Sequence, residues 1–422
     1  MPQFRTLTAS LLVTYLIASL ISLALVGFRF RENSIIALTW DQSFAAAPAM
    51  LLMACFLPIF VFVEFGFGYI VGFYMYGMVT GFVLLSYSTT LPYDHSEARV
   101  SAILSLIAFL IPVLTIRRSI PSLSLTRERM DRLMIALLAI SAMSLVLSAS
   151  YGFRLANPLA AIHMRGEVTR PSVLNYLNGN ITCAVLPFAF AYFIEQKRWK
   201  LATVSVLLVV LFFPILLNKT ILFTPVWLVF LYLLFRTTRP RIATILSLLL
   251  PITIGASVFV IAWRLGSYHL ATTFLGTINM RMIAIPSSAL DHYYAFFSSH
   301  PSTNFCHISA LKRVIECPYI DQLGVIFERE FKLGNFNGSL FATEGVAALG
   351  AKLAPLGTFV AGLVIALGNL ASSRLPVSLI AVSSGIVIQS LMNVPLSTML
   401  LSNGLLCLFF LWLMTPRPDQ IK

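Results

Sequence analysis

Acidic and histidine side chains occur together in a polar stretch, residues 264–352, that interrupts an otherwise apolar chain. Three of them have the side-chain types that act as general acids or bases: Asp291, His300 and Glu344. Glu344 begins a small-residue segment that leads back into apolar sequence, where a carboxylate can serve as a base. Its alternative role is structural, as a carboxylate that favours the dipole at a helix N-terminus. A mere connector does not need this length, so we predict that the stretch carries function.

Cationic side chains outside and inside this stretch have the chemistry to bind phosphate oxygens: Arg165, Arg170, Lys219 and Arg281. Arginine offers a planar fork of donors that suits phosphate, whereas lysine acts as a point charge. Lys219 stands between two apolar segments, where a cation is expensive to place and indicates a functional site. The alternative is that the arginines snorkel to a membrane interface and that Lys219 is a simple interfacial lysine.

Aromatic and amide side chains in the same polar stretch are candidates for binding sugars: Tyr293, Tyr294, Phe297 and Asn337. Aromatic rings beside histidine and aspartate form a good surface for stacking on sugar faces. The spacing fits equally well an amphipathic helix that lies on a membrane with its aromatic side chains facing the lipid. Both interpretations remain open from the sequence.

The composition identifies an integral membrane protein. The 422 residues are 58% apolar and only 11% charged, with a mean hydropathy of +0.88. Soluble globular proteins carry about 25% charged residues. The net charge of +13 is explained by basic residues at the ends of membrane spans, which set topology and contact anionic lipid headgroups. No basic domain is present that could bind nucleic acid, so we expect no nucleic-acid partner.

Twelve apolar stretches are candidates for membrane spans of about 20 residues. They are 7–28, 44–64, 66–88, 100–116, 133–152, 181–195, 201–217, 221–235, 242–263, 354–371, 376–394 and 396–414. The sequence thus predicts an all-α polytopic fold in three parts: 1–263 with nine helices and the outer loop 153–180, a large loop 264–352 with short helices, and 353–422 with three helices. Most basic loops fall on one face, which the positive-inside rule makes cytoplasmic together with both termini.

Cys306 and Cys317 both lie in the large loop, which this topology places outside the cytoplasm. An oxidising compartment allows the two to form a disulfide. They have no partner pair with zinc-site spacing, so no metal site is expected. The chain also contains no phosphate-binding loop and no metalloprotease or serine-hydrolase motif. Any donor must therefore arrive already activated, and on the outer face of a membrane that indicates a lipid pyrophosphate.

The chain resembles the bacterial O-antigen and exopolysaccharide repeat-unit polymerases of the Wzy type. The layout is similar: about a dozen spans, a medium outer loop and a larger one in the C-terminal half. At residue level the likeness lies in YYAFFSSHP at 293–301, in NFNGSLFATEG at 335–345, and in the Gly350 and Gly357 that follow. The basic turn at 218–220 is similar to the turn that these proteins place at the outer membrane surface.

The resemblance implies an all-helical glycosyltransferase of the GT-C class in the bacterial inner membrane, with its active site on the periplasmic face. It implies transfer of a growing glycan from undecaprenyl pyrophosphate to the non-reducing end of an incoming lipid-linked repeat unit. No nucleotide or obligatory metal cofactor is implied. The expected partners are the undecaprenyl-pyrophosphate-linked oligosaccharide, membrane lipid and a protein that regulates chain length. The cations would bind the pyrophosphate.

Three alternatives remain. O-antigen ligases share donor and fold but transfer glycan to lipid A-core; their loop typically carries a His-Asn pair, whereas Pro301 follows His300 here. A flippase for lipid-linked oligosaccharides fits twelve spans, although the sequence shows no internal repeat of the kind many transporters have. A non-catalytic membrane partner in envelope assembly is the third.

Overall fold

The computed structural model describes residues 2–30, 46–117, 123–154, 170–308, 311–332 and 336–416. Every regular element within these ranges is helical, and none of the described residues forms a β-strand. The prediction of an all-α fold is therefore confirmed. Arg165, one of the predicted phosphate ligands, lies outside the described residues.

The α-helices are numbered here in chain order. The first nine are α1 Pro2–Arg29, α2 Ala47–Ala54, α3 Leu57–Phe62, α4 Phe67–Leu85, α5 His95–Thr115, α6 Arg127–Ala149, α7 Ser172–Asn180, α8 Leu186–Glu195 and α9 Trp199–Leu216. The others are α10 Lys219–Thr237, α11 Pro240–Arg264, α12 Tyr268–Phe274, α13 Ile285–Phe297, α14 Leu323–Phe331, α15 Ala348–Ser372, α16 Val377–Leu391, α17 Leu396–Leu401 and α18 Leu405–Met414. Of three π-helical segments, Ile181–Val185 and Leu275–Ala284 join neighbouring helices and Phe341–Ala347 leads into α15; Leu311–Arg313 form a 3₁₀ turn.

Nine helices in the described part of the chain are long and apolar enough to cross a membrane. Three shorter apolar helices, Ala47–Phe62, Val377–Leu391 and Leu405–Met414, accompany them. Each of the twelve stretches predicted from the sequence overlaps one of these helices. The protein is therefore a multi-helix integral membrane protein, as its composition predicts.

The structure divides into two compact units. The first comprises residues 1–116, 240–366 and 391–396, and the second comprises residues 117–239, 367–390 and 397–422. The whole of the predicted large loop, 264–352, belongs to the first unit.

The first unit is built around α4, in which every residue is buried. Such a helix is apolar on all sides because it has neighbours on all sides. The hydroxyl of Tyr74 lies 2.8 Å from that of Ser247 in α11. The hydroxyl of Ser287 in α13 donates to the carbonyl of Met78 at 3.0 Å. These polar contacts fix α11 and α13 against the central helix.

The predicted large loop begins with one continuous helix made of α12, the π-helical segment Leu275–Ala284 and α13. Within it, the Asn279 amide donates to the hydroxyl of Ser22 at 2.9 Å and to the carbonyl of Ile252 at 2.8 Å. Ile252 is near the middle of α11, so this helix folds back along the span that precedes it. The loop is therefore largely helical and packed rather than extended.

The second unit contains α6 to α10, α16 and α18, which are apolar helices with a few internal polar ties. Asn178 of α7 accepts from Ser144 and donates to Ser148 of α6, both at 2.8 Å. The indole of Trp412 donates to the Ser383 hydroxyl at 3.0 Å, which ties α18 to α16. Within apolar helices such bonds satisfy polar groups that would otherwise be costly to bury.

Candidate functional site

Glu344 lies in a helical hairpin of the first unit. The chain runs through the π-helical segment Phe341–Ala347, turns at Gly350 and continues down α15. Gly350 has φ +73° and ψ 169°, a conformation that glycine adopts without steric penalty. The two arms are in contact, because the Glu344 carbonyl packs directly against Gly357. Residues 341–349 and 351–366 thus pack against each other as two arms, called the hairpin below.

The hairpin packs against α5. The Thr358 hydroxyl donates to the Ser105 carbonyl at 3.1 Å, and the rings of Phe341 and Phe109 are 5.3 Å apart. Phe109 is in the second half of α5, so the first arm begins beside that half of the helix and then continues to the turn at Gly350. This path gives Glu344 a buried position, with 6% of the residue exposed.

The Glu344 carboxylate lies close to the side chains of Thr343 and His307. The hydroxyl of Thr343 donates to its Oε2 at 2.5 Å. The Nε2 atom of His307 lies 3.8 Å from its Oε1, and both side chains are less than a tenth exposed. A buried carboxylate beside an imidazole is an arrangement that can accept and pass on a proton. His307 was not among the residues predicted from the sequence.

His307 lies on a short loop that is closed by a disulfide. Cys306 and Cys317 are bonded, with their Cα atoms 5.4 Å apart, as their shared loop predicts. The Thr303 hydroxyl lies 3.0 Å from Nδ1 of His307. Backbone amides of Thr303 and Asn304 donate to carbonyls of the hairpin. The loop is therefore fastened both to itself and to the helix that carries Glu344.

Aromatic side chains of α13 pack against rings from other helices of the first unit. Tyr293 stacks on Phe327 of α14 with ring centroids 4.1 Å apart, and burial raises the pKa of its phenol. Tyr294 stacks on Phe82 at 5.2 Å and donates to the Ser101 hydroxyl at 2.9 Å. Phe297 packs against the same group of rings.

These three aromatic residues, predicted to bind sugars, are buried against protein. The helix predicted from their spacing exists, but its aromatic face contacts other helices of the unit. Only Asn337 among the four predicted sugar ligands is exposed. Sugar binding by Tyr293, Tyr294 and Phe297 stays a prediction, and it requires α14 or its neighbours to move away from the rings.

Asp291 forms a second buried polar group on α13. It accepts a short hydrogen bond from the phenol of Tyr93 and a further one from the Thr89 side chain. Burial raises the pKa of Asp291, and these hydrogen bonds partly oppose the increase. Burial and the nearby Asp291 charge also raise the pKa of Tyr93. The group can hold a proton in an apolar environment, which suits an acid more than a base.

His292 lies within α13 and His300 follows its C-terminal end, and both have mainly structural contacts. Nδ1 of His292 donates to the Ser288 carbonyl at 2.7 Å, its ring lies against Phe331, and burial lowers its pKa. His300 is exposed; its ring stacks on Phe296 at 3.9 Å and its Nδ1 donates to the Phe296 carbonyl at 2.9 Å. His300 therefore caps the end of α13, and the described contacts do not bring it to Glu344 or Asp291.

Arg281 lies on the π-helical segment Leu275–Ala284 in the first unit, two residues after Asn279. Its side chain is exposed at the surface of the unit. The contacts of Asn279 show that this part of the helix lies alongside the interior of α1 and α11 rather than their ends. An arginine at this level is the kind of residue that indicates function in a membrane protein.

Arg170 contacts the end of α9 in the second unit, and Lys219 begins the next helix, α10. The Arg170 guanidinium donates a short hydrogen bond to the carbonyl of Ile215, in the last turn of α9. Four residues later Lys219 begins α10, whose N-terminus is capped by the Asn218 side chain at 3.0 Å from the Thr220 amide. Partial burial lowers the pKa of Arg170. Lys219 thus lies at a helix N-terminus, which is a favourable setting for an anion, and Arg170 is bonded to the end of the helix before it.

The structure therefore groups the predicted residues into sets. Glu344 and Asp291 are buried in the first unit. In the second unit, Arg170 contacts the end of α9 and Lys219 is the first residue of α10. The described residues include no group of three or more His, Cys, Asp or Glu side chains that could hold a metal ion. The sequence signal for the missed His307 is its position directly after Cys306.

Comparison of the chain with protein-family models, with curated proteins and with solved structures gave no match in any of the three.

Proposed function

We propose that this protein is a membrane glycosyltransferase that polymerises a lipid-linked glycan. It transfers a growing O-antigen or exopolysaccharide chain from undecaprenyl pyrophosphate to the non-reducing end of an incoming lipid-linked repeat unit. The fold is of the GT-C class with twelve spans, both termini are cytoplasmic, and the reaction occurs on the periplasmic face of the bacterial inner membrane.

The observation that carries the proposal is the buried Glu344 carboxylate beside His307 in the hairpin. The acceptor sugar must lose a hydroxyl proton as its oxygen attacks the anomeric carbon of the donor. A positioned carboxylate does this work, and such bases contribute about 10²–10⁴-fold to a rate. The His307 imidazole, 3.8 Å away, can stabilise the ionised form and help to pass the proton on.

The leaving group is the second chemical demand. Departure of undecaprenyl pyrophosphate builds negative charge on phosphate oxygens, and preorganised cations lower the barrier by stabilising that charge. Lys219 supports this role because it begins a helix whose N-terminus favours anions, and Arg170 supports it as a cation bonded to the last turn of the preceding helix. Arg281 is a further candidate because it lies close to Asn279, which contacts the middle of α11 rather than its end. Arg165 is a candidate from the sequence alone.

The alternatives use different chemistry. An O-antigen ligase would use the same donor and transfer the glycan to lipid A-core. A flippase would only move the lipid-linked unit across the membrane, and a buried acid–base pair has no task in that process unless a proton gradient drives it. The polymerase is preferred because of the resemblance in residues 293–301 and 335–345.

Glycan analysis of a strain that lacks the gene distinguishes these functions. Loss of a polymerase leaves at most one repeat unit on the final acceptor. Loss of a ligase leaves long chains on the lipid carrier, and loss of a flippase leaves single units on the cytoplasmic side. Long chains on the carrier in the deletion strain would disprove the polymerase proposal.

A reconstituted reaction tests catalysis directly. Lipid-linked repeat units extracted from the deletion strain are added to the purified protein in detergent, where no transmembrane gradient exists. We expect a ladder of longer glycans together with released undecaprenyl pyrophosphate. The Glu344→Gln variant should give no ladder, and Glu330→Gln, which changes an exposed glutamate of the same stretch, should give the wild-type ladder.

A further inference from the structure

We infer that His307 is a positioning residue for Glu344, and that the Cys306–Cys317 disulfide holds His307 in that position. The inference rests on the proposed function for its catalytic part. It assigns a role to a residue that belongs to none of the predicted sites, and it gives the disulfide a task beyond general stabilisation of the loop.

The geometry around His307 fixes one side of the imidazole and leaves the other facing Glu344. Thr303 Oγ1 lies 3.0 Å from Nδ1. On the other side, the buried Nε2 has no hydrogen-bond partner among the described residues, and it lies 3.8 Å from Oε1 of Glu344. When the Thr303 hydroxyl donates to Nδ1, the ring proton is on Nε2 and points to the carboxylate. Catalytic hydrogen bonds are often longer without substrate and shorten in the reacting complex.

The loop is anchored to the hairpin near its turn. The amide of Thr303 donates to the Ala347 carbonyl at 2.7 Å, and the amide of Asn304 donates to the Ala348 carbonyl at 3.1 Å. Carbonyls in the last turn of a helix lack donors within the helix, so they are available to the loop. Glu344 precedes these carbonyls by one turn. The loop and the carboxylate are therefore connected through the first arm of the hairpin.

The disulfide completes the attachment. Cys306 is fully buried and is the direct neighbour of His307, and its amide donates to the Thr303 carbonyl at 2.9 Å. Its bond to Cys317 closes a short loop with a sequence separation of 11. Closing a loop in this way removes conformations in which the residue next to the cysteine is displaced. Without the bond, the loop that carries His307 would lose this constraint.

Activity measurements test the positioning role. His307→Phe keeps a ring of similar shape without nitrogen atoms, whereas His307→Gln keeps a donor close to the place of Nε2. We expect His307→Phe to lower kcat by about 10–100-fold, as for other residues that orient a catalytic group. KM should change little, and His307→Gln should recover much of kcat. The control is His269→Phe, which changes an exposed histidine of the same unit.

Chemical labelling tests the disulfide without relying on activity. The histidine reagent diethyl pyrocarbonate should leave His307 unmodified in the oxidised wild-type protein, as measured by mass spectrometry of the peptide. In the Cys306→Ser/Cys317→Ser variant His307 should become modified. The folded protein reduced with tris(2-carboxyethyl)phosphine provides the same test if that variant fails to fold. The phosphine and one water give the two thiols and the phosphine oxide.

The outcomes separate the inference from the proposed function. If the wild type extends glycans and His307→Phe matches His269→Phe, the positioning role is wrong while the function stands. If His307 stays equally protected after reduction, the disulfide does not hold it and that part is wrong. If the wild type extends no glycan, the proposed function and the catalytic part of the inference are both wrong.

Discussion

Glu344 and Gly357 are in direct contact across the hairpin: a Cβ atom built on Gly357 would lie 2.1 Å from the carbonyl oxygen of Glu344. That oxygen belongs to the backbone, so no side chain can rotate away to make room. The absence of a side chain at position 357 therefore sets the separation of the two arms. It therefore also determines where the first arm holds the Glu344 carboxylate relative to the second arm.

Gly357→Ala should consequently separate the arms and move Glu344. Overpacking of this kind typically costs about 1–3 kcal/mol. We expect a lower melting temperature of the purified protein in detergent and a marked loss of glycan extension. The control is Gly276→Ala, where the nearest atom to the added Cβ is the ring end of Phe30 at 3.3 Å. Equal melting temperatures for the two variants would show that the arms are not closely packed at Gly357.

Glu344→Gln tests the base itself with little change of shape. The glutamine amide cannot take up the proton of the attacking sugar hydroxyl. We therefore expect the rate of glycan extension to fall by about 10²–10⁴-fold, the usual contribution of a general base. In cells, single lipid-linked repeats should accumulate while the variant remains in the membrane. Normal polymer in cells that carry this variant would remove Glu344 as the base.

The helical fold was predictable because apolar stretches of span length leave few other structures possible in a membrane. The Cys306–Cys317 bond was also predictable, since two cysteines in one external loop have few other partners. The pair of Glu344 and His307 was not. The two residues are 37 positions apart (344 − 307), and their contact depends on the turn at Gly350 and on the loop path.

The aromatic residues of α13 show another feature that the sequence alone does not predict. Tyr293, Tyr294 and Phe297 have the same sequence pattern whether their rings face sugar, lipid or protein. Their burial is decided by Phe327 and Phe82, which come from distant parts of the chain. Periodicity identifies the helix and its apolar face but does not identify what covers that face.

Tyr93→Phe should destabilise the first unit in a pH-dependent way. Burial raises the pKa of Asp291 in the folded protein, and the Tyr93 hydrogen bond opposes that increase. In the unfolded chain Asp291 ionises at about pH 4. Above that pH the folded state binds more protons than the unfolded state, so stability falls as the pH rises towards the raised pKa of Asp291. Loss of the Tyr93 hydroxyl raises this pKa further and increases the penalty.

The measurement is the melting temperature of wild type and Tyr93→Phe at about pH 4.5 and about pH 8, a range that starts near the ordinary pKa of an aspartate in an unfolded chain. The difference between the two proteins should be larger at the higher pH. Tyr268→Phe, which removes the hydroxyl of an exposed tyrosine in the same unit, should show no such trend. A difference that is equal at both pH values would mean that Tyr93 acts only through packing.

Arg170 and Lys219 provide the test of pyrophosphate binding. If they stabilise the leaving group, Lys219→Ala and Arg170→Ala should abolish polymer although the protein stays in the membrane. Arg170→Lys keeps the charge but loses the planar fork that donates to the Ile215 carbonyl, so we expect an intermediate loss. Matched controls are Lys200→Ala and Arg129→Ala, which remove exposed cations of the same unit. Wild-type polymer length in both Lys219→Ala and Arg170→Ala would disprove the assignment of these two residues to pyrophosphate binding. In that case the purified variants should also bind inorganic pyrophosphate as the wild type does.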